Sequence, residues 1–146
     1  MSRRILTGIT TTGIPHIGNY FGAIKPALQL SSEKNVSSYF FLADLHAIIK
    51  QTNPNEIKVS VNEVALAWLS SGLDPEESFF YRQSNIPEIT ELAWILSCVT
   101  AKGLINRSHA YKAAVQLNHD HTKDEDKGIS MGLFSYPVLM LSLIHI

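Results

Sequence analysis

Residues 4–19 read Arg-Ile-Leu-Thr-Gly-Ile-Thr-Thr-Thr-Gly-Ile-Pro-His-Ile-Gly-Asn, and this stretch decides the fold. Arg4–Thr7 has the pattern of a short buried strand, and Gly8–Pro15 has the glycine and threonine content of a loop. Ile17–Leu30 repeats apolar residues every four positions, which predicts a helix. A strand, a loop and a helix in this order form the first unit of an α/β fold.

The rest of the chain continues the alternation of strands and helices. Ser38–Leu42 and Ser78–Tyr81 are the next two predicted strands. Asn53 and Asn85 each stand shortly before a proline and a glutamate, which is typical of a capped helix N-terminus, and Gly72 is placed to end the first of these helices. Parallel strands need long connections such as helices, so the pattern predicts a parallel sheet with flanking helices.

Four features outside this alternation lead to structural predictions. Trp68 and Trp94 stand at helical core spacing, so we expect both to be packing residues. Cys98 lies in an apolar stretch and is predicted to be a buried, inert thiol. Asn118–Lys127 has no apolar period and many charges, which predicts a mobile surface loop.

Composition excludes several classes of protein. The 146 residues are 45% hydrophobic and 17% charged, so the chain is expected to fold, and a net charge of −1 gives no global field for nucleic acid. The first residues lack a signal-peptide core, which favours a cytoplasmic protein. The apolar stretch Leu133–Ile146 is too short to cross a bilayer and predicts no membrane anchor.

The loop after the first predicted strand is the first place to look for chemistry, because ligands of parallel sheets bind beyond the carboxyl ends of the strands. Gly8, Gly13 and Gly18 permit close backbone approach, and amides at a helix start favour an anion such as a polyphosphate. A glycine inside the helix start, at Gly18, suggests that a flat group packs on it. Ordinary turn chemistry explains the same residues equally well, so the residues alone leave both readings open.

A longer set of motifs resembles a known family. His16–Asn19, preceded by Thr7–Gly13, resembles the HIGH-type signature of class I aminoacyl-tRNA synthetases, in the form typical of the tryptophanyl enzymes. The resemblance continues through Phe41–Ala47, Gly72–Pro75, Arg82–Ser84, Asn106–Lys112 and Met131–Met140. It therefore covers most of the chain up to Met140.

The resemblance implies a fold and an activity. Residues 1–140 would form the N-terminal part of the catalytic domain, an incomplete Rossmann-like parallel sheet with a connective helical insertion at about 85–130. The implied reaction is ATP-dependent activation of L-tryptophan to tryptophanyl-AMP, followed by transfer to tRNA(Trp). The implied partners are L-tryptophan, tRNA(Trp) and a second subunit of a homodimer, with Mg²⁺ carried on ATP and no metal site in the protein.

The family resemblance also implies an ATP site. His16 and Asn19 would be the catalytic donors, and Asn19 stands where many class I enzymes have a second histidine. The residues implied to bind ATP are Thr10, Thr11, Thr12, Gly18 and Asn19. Because relatives more often have other residues at the three threonine positions, backbone contacts are expected there rather than side-chain contacts.

A tryptophan pocket is implied at five further positions. They are Leu6, Gly8, His46, Tyr136 and Met140. Aromatic and thioether side chains suit an indole, and a histidine can satisfy a polar group at the edge of the pocket. Plain core packing is an equal alternative for His46.

The chain departs from the family pattern after Met140. The family continues to an aspartate that bonds the indole N–H, whereas this sequence has Leu143 there, which leads us to expect that residues 141–146 are a non-native tail on a truncated, inactive fragment. Two alternatives stay open: a small HIGH-motif nucleotidyltransferase, and a non-catalytic synthetase-like binding or dimerisation module using the Lys102–Ala114 region. The histidines and aspartates of the Asn118–Lys127 segment could be read as a metal cluster, but no framework fixes their geometry, so a solvated segment is expected.

Overall fold

A computed structural model describes residues 3–121 and 124–146 of the chain. The chain divides into two compact units, Met1–Asn85 and Ile86–Ile146, here called the first unit and the second unit. The strands are β1 (Arg3–Thr10), β2 (Val36–Ala43) and β3 (Phe79–Arg82). The helices are α1 (Ile17–Asn19), α2 (Lys25–Ser31), α3 (Asp44–Ala47), α4 (Pro54–Ser70), α5 (Pro87–Val99), α6 (Lys102–Ile105), α7 (His109–Asp120) and α8 (Met131–His145).

The three strands form one parallel sheet in the order β1-β2-β3. Gly8 pairs with Phe41, and Phe41 pairs with Tyr81. The carboxyl ends of all three strands therefore lie at one edge of the sheet. The predicted α/β fold with a parallel sheet and flanking helices is confirmed.

One hydrophobic core holds the first unit together. It combines residues of β1, β2, the first helical segments, α4 and the turn after α4: Ile9, Ile24, Ala27, Phe40, Leu42, Val61, Val64, Trp68 and Leu73. Trp68 is fully buried, as predicted, and its ring centroid lies 4.9 Å from that of Phe40. Phe40 and Leu42 are two residues apart on β2, so both side chains lie on the face of the strand that packs against the helices.

The ends of α4 follow the predicted chemistry. The Asn53 side chain accepts a hydrogen bond from the Asn55 N–H at 3.0 Å. At the other end Gly72 has φ +101°, and the Leu73 N–H bonds the Trp68 carbonyl oxygen at 3.2 Å, as in a Schellman motif. Because the left-handed region is strained for other residues, glycine is needed at this position.

Two predicted boundaries in the first unit were wrong. β1 continues past Thr7 to Thr10, because its pairing with β2 extends through the glycine that the sequence assigned to a loop. The single helix predicted from Ile17 to Leu30 is broken by a π-helical turn at Tyr20–Ile24. Pro26 follows this turn and lacks the N–H that a continuous α-helix would need.

The second unit corrects three further predictions. Asn85 does not cap α5, since Ile86 occupies the capping position and makes no side-chain cap. Trp94 is 73% exposed and Cys98 is exposed, although both were expected to be buried. The physical reason is that α5 is apolar around much of its circumference, so the helical period did not identify the covered face.

The predicted mobile loop at Asn118–Lys127 is also largely wrong. Its first three residues end α7, and the buried Asn118 amide donates to the carbonyl oxygens of Glu125 and Lys127, both at 2.9 Å. These bonds tie the following turn to the helix. Thr122 and Lys123, which the prediction included, lie outside the described residues.

Candidate active site

The loop after β1 ends in a capping box built by His16 and Asn19. His16 precedes α1, and its Nδ1 accepts a hydrogen bond from the Gly18 N–H at 3.1 Å. In return the His16 N–H donates to Asn19 Oδ1 at 2.9 Å. Since Nδ1 accepts, the ring proton of neutral His16 sits on Nε2, and the Asn19 oxygen is engaged while its NH₂ group still carries donors. Each of the two predicted catalytic side chains is thus oriented by a backbone N–H, that of Gly18 for His16 and that of His16 for Asn19, and each keeps a donor group for a ligand.

A small cavity lies against this capping box. Its volume is about 150 Å³, and it is lined by Ile9, Thr10, Thr12, Gly13, Ile14, Pro15, His16, Asn19 and Val64. Gly13 has φ +141°, a backbone conformation that requires glycine. Ligand pockets for whole drug-sized molecules are typically about 300–1,000 Å³, so this cavity suits a few phosphate groups rather than an entire nucleotide.

Two of the predicted ATP-binding residues do not line the cavity. The Thr11 side chain is 0% exposed, and its hydroxyl has no hydrogen-bond partner among the described residues. Gly18 lies under the His16 ring, where an added Cβ would approach the ring atoms Cε1 and Nδ1 to 2.9 and 3.0 Å. The flat group expected on Gly18 is therefore the imidazole of His16, which needs a glycine beneath it.

The residues predicted to bind tryptophan are divided between the two units. Leu6, Gly8 and His46 belong to the first unit: Leu6 lies in the middle of β1, Gly8 two residues before its end, and His46 in α3, directly after β2. The Phe41 ring covers one side of Gly8 so closely that a Cβ there would lie 2.3 Å from the ring. Tyr136 and Met140 lie four residues apart on α8 in the second unit, and hence on one side of that helix.

A polar network around the buried Asp44, beside His46, was not predicted from the sequence. The Asp44 carboxylate accepts five hydrogen bonds: from Arg82 Nε (3.2 Å) and Nη2 (3.1 Å), from Ser84 N (3.0 Å) and Oγ (2.5 Å), and from the N–H of the next residue, Leu45 (3.1 Å). Next to it, His46 Nδ1 lies 3.0 Å from Gln83 Oε1. Polar residues directly after β2 and β3 were the available signal, because the ends of neighbouring parallel strands meet at one edge.

A larger cavity of about 740 Å³ lies within the second unit. Its walls come from α5 to α8 and the turn before α8: Trp94, Ser97, Thr100, Lys102, Ile105, Tyr111, Asp126, Ile129, Ser130, Met131, Phe134, Ser135 and Val138. The rings of Tyr111 and Phe134 meet edge to face at 5.0 Å. Desolvation first, and then the carboxylates of Asp126 and Glu125, raise the pKa of Tyr111. This phenol therefore stays neutral at physiological pH.

The described residues form neither a metal-binding cluster nor a helix that could span a membrane. Over residues 3–121 and 124–146, no three His, Cys, Asp or Glu side chains are grouped so that they could hold a metal ion. Within the same residues, no helix has the length and apolar character needed to cross a membrane.

The chain is similar to a defined family of enzymes. The family model described as tRNA synthetases class I (W and Y) matches residues 2–144. The tryptophan–tRNA ligase of Pseudomonas putida is 60% identical over 140 residues, which are 96% of this chain and 31% of that protein. The chain thus spans about a third of the length of this relative.

Solved structures give the same result. The tryptophanyl-tRNA synthetase of Campylobacter jejuni matches with a TM-score of 0.83 and 39% identity, over 99% of this chain and 42% of that one. A second structure of the Campylobacter jejuni enzyme, complexed with ADP and tryptophan, matches with a TM-score of 0.81 and 40% identity, over 97% of this chain and 41% of that one. The resemblance drawn from the sequence motifs is confirmed, and the chain belongs to the class I tRNA synthetases of the tryptophan and tyrosine family.

Proposed function

We propose that this chain is the part of a tryptophan–tRNA ligase that grips the phosphates of ATP. The observation that carries the proposal is the capping box of His16 and Asn19 beside the small cavity at the carboxyl end of β1. The complex of a similar structure with ADP and tryptophan supports it. The family match over residues 2–144 favours this function over a small nucleotidyltransferase of another family.

The proposed reaction begins with the carboxylate of L-tryptophan. One carboxylate oxygen attacks the α-phosphorus of ATP, the bond between that phosphorus and the bridging oxygen breaks, and pyrophosphate leaves. The carboxylate is already ionised at pH 7, so this step needs no general base. In the second step a hydroxyl of the terminal ribose of tRNA(Trp) attacks the acyl carbon, and AMP leaves.

The residues of the first unit act in the first step by position and charge. Negative charge grows on the phosphate oxygens in the transition state, and donors held in advance stabilise it without reorganisation. His16 offers Nε2–H because Gly18 N–H occupies Nδ1, and Asn19 offers its NH₂ group because the His16 backbone occupies Oδ1. Thr10 and Thr12 line the same cavity, whereas buried Thr11 would contribute through its backbone only.

Several further assignments belong to the same proposal. Mg²⁺ would arrive with ATP and screen the β- and γ-phosphates, since this metal is usually bound together with substrate phosphates. Leu6, Gly8 and His46, together with Tyr136 and Met140, would contact tryptophan in the whole enzyme. The proposed assembly is a homodimer, and the proposed location is the cytoplasm. Residues 1–140 are the proposed N-terminal part of the catalytic domain, and they include the connective helical insertion at about 85–130.

A graft into a relative tests the proposed function. Residues 1–140 replace the matching segment of the Pseudomonas putida ligase, and the exchange of labelled pyrophosphate into ATP is measured with tryptophan. We expect exchange that depends on tryptophan and is absent with tyrosine. His16→Ala in the graft should reduce the exchange rate by about 10²–10³-fold, the usual cost of removing one donor to developing charge.

The controls separate chemistry from folding. The unmodified Pseudomonas putida enzyme sets the maximal rate, and His119→Ala, a change in the last turn of α7 outside the capping box, should leave the rate of the graft within about twofold. A folded graft with no exchange, or one whose rate is unaffected by His16→Ala, would refute the proposed function.

A further inference from the structure

A buried pair of neutral polar side chains joins the ends of two strands beside the sheet edge. His46 belongs to α3, directly after β2, and is 8% exposed, whereas Gln83 directly follows β3 and is 0% exposed. Their atoms Nδ1 and Oε1 lie 3.0 Å apart, a normal hydrogen-bond distance. Because buried polar groups require such partners, the pair constrains the orientation of both side chains.

The chemistry of the two groups determines where the imidazole proton sits. An amide oxygen can only accept a hydrogen bond, so the bond to Gln83 Oε1 requires a hydrogen on Nδ1 of His46. Neutral imidazole carries one N–H, and its other nitrogen is then an acceptor. The geometry points to Gln83 as a positioning residue that fixes His46 in the tautomer with the proton on Nδ1.

The Asp44 carboxylate bonds the residues on both sides of Gln83 and so holds Gln83 beside His46. Asp44 stands two residues before His46, and its two oxygens accept hydrogen bonds from the backbone N–H and the hydroxyl of Ser84, the residue after Gln83. The Arg82 guanidinium, on the other side of Gln83, donates twice to Asp44 Oδ2. The end of β3 and the two residues after it are thus bonded to the short helix α3 that follows β2. The Gln83 amide therefore has little freedom to move away from the His46 ring.

The role of this pair in tryptophan binding rests on the proposed function. In that function, the tautomer with hydrogen on Nδ1 leaves Nε2 without a hydrogen, so any bond from Nε2 to the ligand is one in which Nε2 accepts. Gln83 has no exposed surface and so acts through His46 rather than by touching the ligand. Gln83 is therefore a positioning residue for His46 and not a residue that binds the ligand.

The tautomer is measurable in the 146-residue chain without any ligand. Long-range ¹H–¹⁵N spectra of histidine rings distinguish a protonated from an unprotonated nitrogen, and His46→Gln identifies the signals of His46 among the six histidines. In the neutral state we expect a protonated Nδ1 and an unprotonated Nε2. Gln83→Met, which removes the acceptor at similar size, should move the proton to Nε2, and Gln83→Glu, which restores an acceptor, should return it to Nδ1.

A matched control and a folding check complete the experiment. Gln116→Met changes an exposed glutamine of α7, whose amide donates to Asp120, and should leave the His46 signals unchanged. If Gln83→Met fails to fold, the unmodified chain still decides the matter, because a neutral His46 ring with its proton on Nε2 cannot donate to Gln83 Oε1. A wild-type ring protonated on Nε2, or a folded Gln83→Met variant that keeps the Nδ1 proton, would overturn the inference. Failure of the proposed function would appear separately, as a graft without pyrophosphate exchange while the His46 tautomer remains as inferred.

Discussion

The two units of the chain differ in how many of their apolar side chains are buried. The first unit buries nine hydrophobic residues in one cluster around Trp68. Among the described residues of the second unit, the fully buried hydrophobic side chains are Ile89, Val138 and Leu143. Its large exposed apolar side chains are Trp94, Ile95, Val99, Leu104, Leu117, Met131, Met140, Leu141, Ile144 and Ile146.

This difference teaches that apolar content and burial are separate properties of a helix. α4 and α5 both carry enough hydrophobic residues for a core, yet α4 places Val61, Val64 and Trp68 in the cluster of the first unit, whereas α5 buries Ile89 alone. Because burial of apolar surface is the main driving force of folding, the stability of the chain should be concentrated in the first unit. Substitutions of buried residues in the first unit should therefore cost more stability than the same substitutions in the second unit.

The two tryptophans provide the sharpest test. Trp68→Ala removes a fully buried side chain that packs on Phe40, and should lower the free energy of unfolding by about 3–5 kcal/mol. Trp94→Ala, the same substitution at an exposed position, should change it by less than about 0.5 kcal/mol. Urea unfolding of both variants measures the difference. Equal losses would show that the second unit has a core of its own around Trp94.

The polar network of the first unit should have the next largest effect. Asp44→Asn keeps the shape of the side chain but removes the charge that accepts from Arg82 and Ser84, so we expect a loss of about 2–3 kcal/mol. Asp74→Asn is the matched control, because the exposed Asp74 accepts a single bond from the Glu76 N–H. Chemical denaturation that shows the same stability for both variants would contradict a structural role for the network.

Gly8 tests the close packing of β1 on β2. A Cβ at Gly8 would overlap the Phe41 ring, so Gly8→Ala should cost about 1–2 kcal/mol in thermal or urea unfolding. Adding Phe41→Leu should recover part of that loss by opening space. Gly22→Ala is the control, since a Cβ there meets nothing within 4 Å and alanine favours helix. A neutral Gly8→Ala variant would mean that Phe41 moves aside at no cost.

Measurements at alkaline pH should reveal a small contribution of Tyr81, on β3, to the stability of the folded chain. Burial first, and then the nearby Tyr39, raise the pKa of Tyr81 above its ordinary value of 10.0. A group with a raised folded pKa gives stability that is fully present below pH 10 and is lost as the pH rises through the folded pKa. Melting temperatures should therefore fall less steeply above pH 10 in Tyr81→Phe than in the unmodified chain. Identical slopes would exclude this contribution.

The sequence predicted those parts of the structure that depend on local chemistry. The Asn53 cap and the Gly72 end of α4 follow from residues acting on their own backbone. The loop between β1 and α1 was singled out because ligands of parallel sheets bind beyond the carboxyl ends of the strands. Such features need no knowledge of the distant parts of the chain.

The remaining features depend on tertiary contacts that periodicity does not encode. The exposure of Trp94 and Cys98 depends on which face of α5 is covered, and the extension of β1 to Thr10 depends on its pairing with β2. In the candidate site, the sequence named His16 and Asn19 but gave no sign that backbone N–H groups of the same turn orient both side chains. It also missed the bond between His46 and Gln83, because 37 residues separate the two partners.

The most direct test of the phosphate site is the footprint of ATP on the chain itself. Backbone amide signals of the ¹⁵N-labelled 146-residue chain are followed while millimolar Mg²⁺-ATP is added. We predict that the largest shifts fall on residues 10–19, around the capping box of His16 and Asn19, and that His16→Ala abolishes them while the second unit shows little change. Saturable shifts that leave residues 10–19 unaffected, or that persist in His16→Ala, would contradict the account.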